Sequence, residues 1–238
     1  MRGSLVIAVA QPRCTPHDVA ANAVAHAAAV RSAVARVVVF PELSLTGYEL
    51  DAPAINVEDP RLAPIVVACS ETGSVALAGA PVHGEGGRVH IGMLVIDGTG
   101  VTQVYRKMWL GGAEPDRFSP GAEPAVLEVD GWRLGLAICK DTGVPRHAAD
   151  TAALGIDAYV AGVLESADDS AVLDERARRV AGDHRIWVAI ASFAGSTGGG
   201  YDHAAGRSGI WSADGHLVAE AGPEAGAVVS ATFASASI

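Results

Sequence analysis

The 238 residues carry 17 basic and 27 acidic side chains, a net charge of −10, and are half apolar but only 5% aromatic. A chain of this length buries enough surface to fold as one domain over residues 1–238 without a disulfide or metal staple, and no run approaches the ~20 apolar residues that cross a bilayer. The acidic balance, with no basic cluster longer than Arg178-Arg179, argues against a nucleic-acid binder and for an acidic cytoplasmic enzyme.

After Met1-Arg2-Gly3-Ser4, the apolar run Leu5–Ala10 is too short for a signal peptide and reads as a buried strand closed by Pro12. Thr15-Pro16-His17-Asp18 supplies an N-cap, a proline at the first helical position and an acid in the first turn of an alanine-rich helix. That helix runs to about Ala35. Val37–Phe40 is the next strand, cut off by Pro41, and Asp59-Pro60 caps a second helix to about Ser70. Val75–Val82, Arg88–Ile96 and Val101–Arg106 are strands, the last two joined by the turn Asp97–Gly100. Val126–Val129 and Trp132–Ile138 form a further hairpin across Asp130-Gly131. Pro145–Leu154 is helical, Ala158–Val163 a strand, and Ser170–Arg185 a helix laced by the pairs Asp174/Arg178 and Glu175/Arg179. Ile186–Ala191 is a strand, Gly195–Gly200 a flexible turn at a pocket rim, and hairpin strands around Asp214-Gly215 finish the chain. Helices leading into strands, mixed with hairpins, predict two α/β layers packed together.

Cys14, Cys69 and Cys139 are an odd set without C-x-x-C spacing, which argues against a disulfide framework or a zinc site. His83, His90, His184 and His203 likewise lack metal-ligand spacing. More informative is where three reactive side chains fall. Glu42 follows Val37–Pro41, Lys107 follows Val101–Arg106, and Cys139 follows Trp132–Ile138, each at the carboxyl end of an apolar strand, the edge where α/β folds place ligands. A thiol needs a base to become a thiolate, and a carbonyl under attack needs positive charge where its oxygen turns anionic. Glutamate, lysine and cysteine supply base, electrophile and nucleophile in one set. A lone cysteine ending a buried strand is otherwise an inert core residue, and Cys14 and Cys69 keep that reading.

The segments around these residues carry more than their spacing. Phe40-Pro41-Glu42-Leu43-Ser44-Leu45-Thr46-Gly47-Tyr48, Tyr105-Arg106-Lys107-Met108-Trp109-Leu110 and Gly135-Leu136-Ala137-Ile138-Cys139-Lys140-Asp141 with Pro145 occur in that order. Glu114 precedes Phe118-Ser119-Pro120-Gly121, and weaker matches continue through Gly155–Ala158, Gly206-Arg207-Ser208 and Asp214-Gly215. Across essentially the whole chain the sequence resembles the nitrilase, or carbon–nitrogen hydrolase, superfamily. The resemblance implies an α/β fold, a four-layer αββα sandwich of two mixed sheets flanked by helices, assembled as homodimers or higher homo-oligomers. It implies that Cys139 attacks an amide or nitrile carbon, that Glu42 moves the protons, that Lys107 and the backbone N–H of Lys140 hold the oxyanion, and that Glu114 holds Lys107. No metal or organic cofactor is required. Tyr48, Lys140 and Trp109 are the expected substrate-binding residues.

Several positions depart from the superfamily pattern. Lys140-Asp141 stands where nitrilases carry tryptophan and glutamate, which points to the amidase-like branches; Lys140 is placed either to lower the thiol pKa or to recognise a substrate carboxylate. Val144 replaces the aromatic before Pro145, and His184 and Ser192 stand where many relatives place asparagines. The chain also ends early for the superfamily, which implies a shortened carboxyl-terminal arm. The expected function is therefore a thiol hydrolase of a small non-peptide amide that releases ammonia or an amine. The alternatives are a nitrile or N-carbamoyl hydrolase, or a non-catalytic member that binds a metabolite or partner.

Overall fold

Alternation along the strands builds the layers. In β1 (Leu5–Gln11), Ile7 and Val9 join one buried cluster while Ala8 and Ala10 join another on the opposite face. Successive strand residues point to opposite sides, so a strand apolar throughout must be covered on both faces. The same division runs through β2 (Val37–Val39) and β3 (Val75–His83), where Val75 and Leu77 face one cluster and Ala76, Ala78 and Ala80 the other. The computed structural model describes residues 3–199 and 201–234; Met1, Arg2 and Gly200, on which parts of the sequence reading rest, lie outside them.

β4 (Val89–Asp97) and β5 (Gly100–Arg106) continue this sheet as a hairpin whose turn is Asp97–Gly100, as expected. β6 (Val126–Val129) and β7 (Trp132–Ile138) open a second sheet with the expected hairpin, in which Asp130 and Gly131 take φ of 51° and 79°. Two central residues at positive φ suit the right-handed twist of the flanking strands. β8 (Ala158–Val163) and β9 (Trp187–Ser192) pair in parallel beside β7. A two-residue ribbon, β10 (Ala194–Gly195) with β11 (Ala204–Ala205), stands apart, and β12 (Gly209–Trp211) and β13 (Leu217–Glu220) complete the second sheet. The final strand, β14 (Ala227–Phe233), crosses back and pairs antiparallel with β1, Leu5 opposite Phe233. Each sheet therefore has six strands, ordered β14-β1-β2-β3-β4-β5 and β13-β12-β9-β8-β7-β6.

The two sheets face each other across one core, which includes Val9, Leu77 and Met93 from the first and Leu136, Ile138 and Val160 from the second. Helices α1 (Val19–Ala33) and α2 (Ala63–Thr72) cover the outer face of the first sheet, where the strands present mainly alanine. Small side chains on both surfaces let helix and sheet approach closely. Short α3 (Lys140–Gly143), then α4 (Pro145–Ala152) and α5 (Ala171–His184), follow in chain order. Ala148 of α4 and Leu173, Ala177 and Val180 of α5 pack onto the outer face of the second sheet. The architecture is the expected four-layer αββα sandwich. Among the described residues no helix is long and apolar enough to cross a membrane.

Three local expectations are corrected. The first helix is capped by Asp18, whose carboxylate accepts the Ala21 N–H at 2.9 Å, and not by Thr15; His17 takes φ +59°, which no helix continues through. Of the two ion pairs expected on the last helix, Asp174–Arg178 forms at 2.7 Å, whereas Arg179 donates to the Thr142 carbonyl at 2.6 Å, in contact with α3. The chain does not finish on the Asp214-Gly215 hairpin either, because β14 returns to the first sheet.

Candidate active site

Two glycines let the segment carrying Glu42 lie between the sheets. A Cβ on Gly79 of β3 would fall 2.3 Å from the Leu43 nitrogen, and one on Gly162 of β8 would fall 2.4 Å from the Phe40 oxygen. Either contact is far inside van der Waals distance, so a side chain at each of these points would displace the backbone. Glu42, just beyond β2, thereby reaches the interior and is 1% exposed.

Lys107 is the first residue past β5 and is equally buried. Its ammonium donates to Glu42 Oε1 at 2.7 Å and to both oxygens of Glu114, at 2.7 and 2.8 Å. Those contacts use the three protons an ammonium has. Glu114 sits in a short 3-10 turn, Glu114–Asp116, and is fixed from behind by the Gly111 N–H, which donates to Oε2 at 2.8 Å. Two buried carboxylates thus face one ammonium, an excess of one negative charge when both are ionised. Among the described residues, Glu42 Oε2 is buried and has no hydrogen-bond partner.

Cys139 directly follows β7 in a strained turn, with φ 44° and ψ −103°. Such a conformation costs about 1–3 kcal/mol and persists only where its surroundings over-determine it. They do so here. The Cys139 N–H donates to the Gly162 carbonyl at 3.0 Å, while its own carbonyl accepts from the Thr142 N–H and hydroxyl at 2.9 and 2.7 Å. Asp141 braces the same turn: its carboxylate accepts the Ile138 N–H, the Trp109 N–H and the Tyr105 hydroxyl, at 2.9, 2.9 and 2.7 Å. One buried carboxylate therefore ties the cysteine turn to the stretch that carries Lys107. Tyr105 continues through His147 to the Tyr159 hydroxyl, at 2.8 and 2.7 Å.

The electrostatics follow from burial and the charge excess. Burial pushes the Glu42 carboxyl up to about 7, with Glu114 adding to the rise and Lys107 and the Cys139 thiol opposing it. Burial and the charge of Glu42 hold the Cys139 thiol well above its usual range, against the pull of Lys107. Burial works against the Lys107 ammonium, but Glu42, Cys139 and Glu114 outweigh it and keep the lysine charged. The resting state is a neutral thiol beside a carboxyl group that titrates near neutrality. The thiol donates to the Leu164 carbonyl at 3.5 Å. Cys14 and Cys69 are pushed up by burial alone or chiefly, to about 12 and about 11.

A cavity of about 270 Å³ opens onto this centre, lined among others by Tyr48, Lys107, Glu114, Cys139 and Lys140. Of the seven residues read from the sequence, those five line it and Glu42 lies beneath Lys107. Trp109 does not line the cavity; its ring packs edge-on against His147 at 5.5 Å and its backbone serves Asp141. Lys140 donates to the Leu110 carbonyl at 2.7 Å, and the cation acting on the thiol is Lys107. Tyr48 stands edge-on between Phe193 and Tyr201, at 5.9 and 5.5 Å. Glu165, Arg176 and Tyr201, which sequence reading missed, complete the wall together with Gly199 of the expected rim turn. A signal for Arg176 existed: it interrupts the apolar stripe Leu173, Ala177 and Val180 on α5.

The chain is similar to known proteins in sequence and in fold. A hydrolase in the pqqF 5′ region of Pseudomonas protegens is 29% identical over 231 residues, 92% of this chain and 80% of that protein. An (R)-stereoselective amidase of a Pseudomonas species is 31% identical over 127 residues, 51% of this chain and 46% of the amidase. Among solved structures, an amidase of Nesterenkonia sp. AN1 superposes with a TM-score of 0.86 at 24% identity, covering 98% of this chain and 92% of that one. A superfamily protein of Xanthomonas campestris gives 0.87 at 22% identity with the same coverage. At these identities the two structures establish the fold. The carbon–nitrogen hydrolase profile matches residues 6–238, a span that includes Glu42, Lys107, Glu114 and Cys139. By that match the chain belongs to the carbon–nitrogen hydrolase family.

Proposed function

We propose that the protein hydrolyses the C–N bond of a small, non-peptide amide through a thioester on Cys139. The observation that carries this reading is the buried set in which Lys107 bridges Glu42 and Glu114 at the foot of a cavity that exposes Cys139. Glu42 takes the thiol proton as sulfur attacks the carbonyl carbon. Lys107 and the backbone N–H of Lys140, which opens α3, receive the oxyanion. Protonation of Glu42 weakens its hold on Lys107, freeing one ammonium proton for the developing charge while Glu114 keeps the lysine in place. Collapse breaks the C–N bond, and the proton passes from Glu42 to the departing nitrogen. Glu42 then takes a proton from water as it attacks the thioester. The acid leaves and Cys139 recovers its proton.

A carboxyl group titrating near 7 suits a residue that is base and acid in turn. The cavity size favours a small substrate, and the Nesterenkonia amidase has been captured with butyramide. Homodimeric assembly and a cytoplasmic location belong to the same reading, and sedimentation tests the first. The deciding experiment is ammonia release from short aliphatic amides, ω-amides, N-carbamoyl compounds and nitriles, with Cys139→Ala as control. Amides should turn over and the variant should not. Turnover that survives in Cys139→Ala rules out the nucleophile.

A further inference from the structure

Three charged side chains of the cavity wall take no side-chain part in that chemistry: Lys140, Glu165 and Arg176. Arg176 projects from α5 and Glu165 follows β8; their side chains are only 24% and 14% exposed. Arg176 Nη1 donates to Glu165 Oε1 and reaches the Thr142 hydroxyl at 3.5 Å. The guanidinium lies against Gly143, where a Cβ would stand 3.2 to 3.5 Å from Nε, Cζ and Nη2. Its Nε and Nη2 have no side-chain or backbone acceptor among the described residues. A guanidinium gripped on one corner and open along its Nε–Nη2 edge is preorganised to take a carboxylate bidentately.

Lys140 strengthens the case. Its stem lies across Gly111, where a Cβ would be 3.2 Å from Cδ, and Nζ spends one proton on Leu110. Two ammonium protons remain. Away from the buried Glu42–Lys107–Glu114 set at its foot, the wall thus holds two cations, Lys140 and Arg176, and one carboxylate, Glu165. Positive charge therefore gathers on the wall, apart from the buried carboxylates at the foot, where an anionic end of a substrate can meet it. Glu165 offsets the charge of Arg176, so the wall offers a carboxylate the Lys140 charge together with the Nε and Nη2 donors of Arg176.

We propose that the substrate carries a carboxylate at the end remote from its scissile amide, and that Arg176, positioned by Glu165 and assisted by Lys140, receives it. The proposal rests on the amidase reading above and names its substrate class: small monoamides of dicarboxylic acids. Succinamate, butyramide and β-alaninamide test it, because they differ mainly in carrying a negative, neutral or positive end. Wild type should favour succinamate over butyramide in kcat/KM, and Arg176→Leu should lower that ratio by about 10- to 100-fold, the worth of a charge-assisted pair. Arg176→Lys, which keeps the charge and loses the fork, should fall between them. A wild-type preference for butyramide or β-alaninamide, or a ratio that Arg176→Leu leaves unchanged, overturns the proposal. Binding of succinamate to Cys139→Ala, with and without Arg176→Leu, reads the carboxylate site without turnover. If no amide is hydrolysed yet this binding persists and depends on Arg176, the amidase reading fails and the carboxylate site stands.

Discussion

Replacing Glu42 by glutamine should abolish activity and stabilise the protein, with a gain that grows with pH. The carboxyl rises from 4.5 to about 7 on folding, chiefly because burial disfavours its charge. At 1.36 kcal/mol per unit this is about 3 kcal/mol. The sign is fixed by proton uptake. Between those two values the folded state holds the proton that the unfolded chain has released, so stability falls as pH rises through the window and stays low above 7. Glutamine preserves an oxygen for Lys107 and leaves that ammonium balanced by Glu114 alone, without the buried excess charge. The difference in unfolding free energy between Glu42→Gln and wild type should therefore increase with pH, roughly three quarters of the ~3 kcal/mol developing between pH 5 and pH 9. Urea unfolding followed by tryptophan fluorescence at those two values measures it. A difference that stays flat, or that shrinks at high pH, refutes the claim that this carboxylate is ionised at a cost.

The same group sets the pH dependence of turnover: kcat/KM should climb with unit slope on the acid side and level off above about 7, where the base is ionised. His26 should act on stability in the opposite sense. Burial lowers its pKa to about 4, so stability is lost as pH falls from 6.5 towards that value, and His26→Gln should remove about 3 kcal/mol of acid sensitivity, visible in unfolding curves at pH 4 and pH 7. Lys107→Met strands two buried carboxylates together and should cost about 3–5 kcal/mol at pH 8, most of it recovered in the double variant Lys107→Met/Glu114→Gln; equal stability of the two contradicts the charge argument. Gly162→Ala drives a methyl group to 2.4 Å from the Phe40 carbonyl and should cost about 1–3 kcal/mol and most of the activity, read by thermal unfolding and ammonia release.

Much of the fold was legible because local chemistry and burial agreed. Asp97–Gly100 and Asp130-Gly131 are hairpin turns by composition, and the strands they join are paired as read. Helical stretches leading into apolar strands predict packed α/β layers, and the two six-stranded sheets with helices on their outer faces match that. What escaped were features decided by tertiary contacts. β14 has a mixed burial pattern, with only Ala231 and Phe233 buried, so its pairing with β1 over more than 200 residues left little local trace. Glu175 and Arg179 have the right spacing on a helix, yet a carbonyl on α3 captured the arginine, an outcome helix periodicity does not encode.

The site shows the same division. Glu42, Lys107 and Cys139 announced themselves because each follows an apolar strand, and β-strands deliver their ends to one edge. Sequence spacing does not reveal that their convergence needs two side-chain-free positions, Gly79 and Gly162, one in each sheet. Nor does it separate a helix-surface arginine from one turned into a cavity. Arg176 lies between Leu173 and Ala177 on the buried side of α5, where a charge has no place unless it meets a partner or a ligand. Glu165 supplies the partner at one corner only. On the proposed reading the reactive centre follows from strand ends, which are local, whereas the carboxylate grip depends on the wall, where helix α5 meets the loop after β8. The proposed substrate class is therefore tested more sharply at Arg176 and Lys140 than at the cysteine itself.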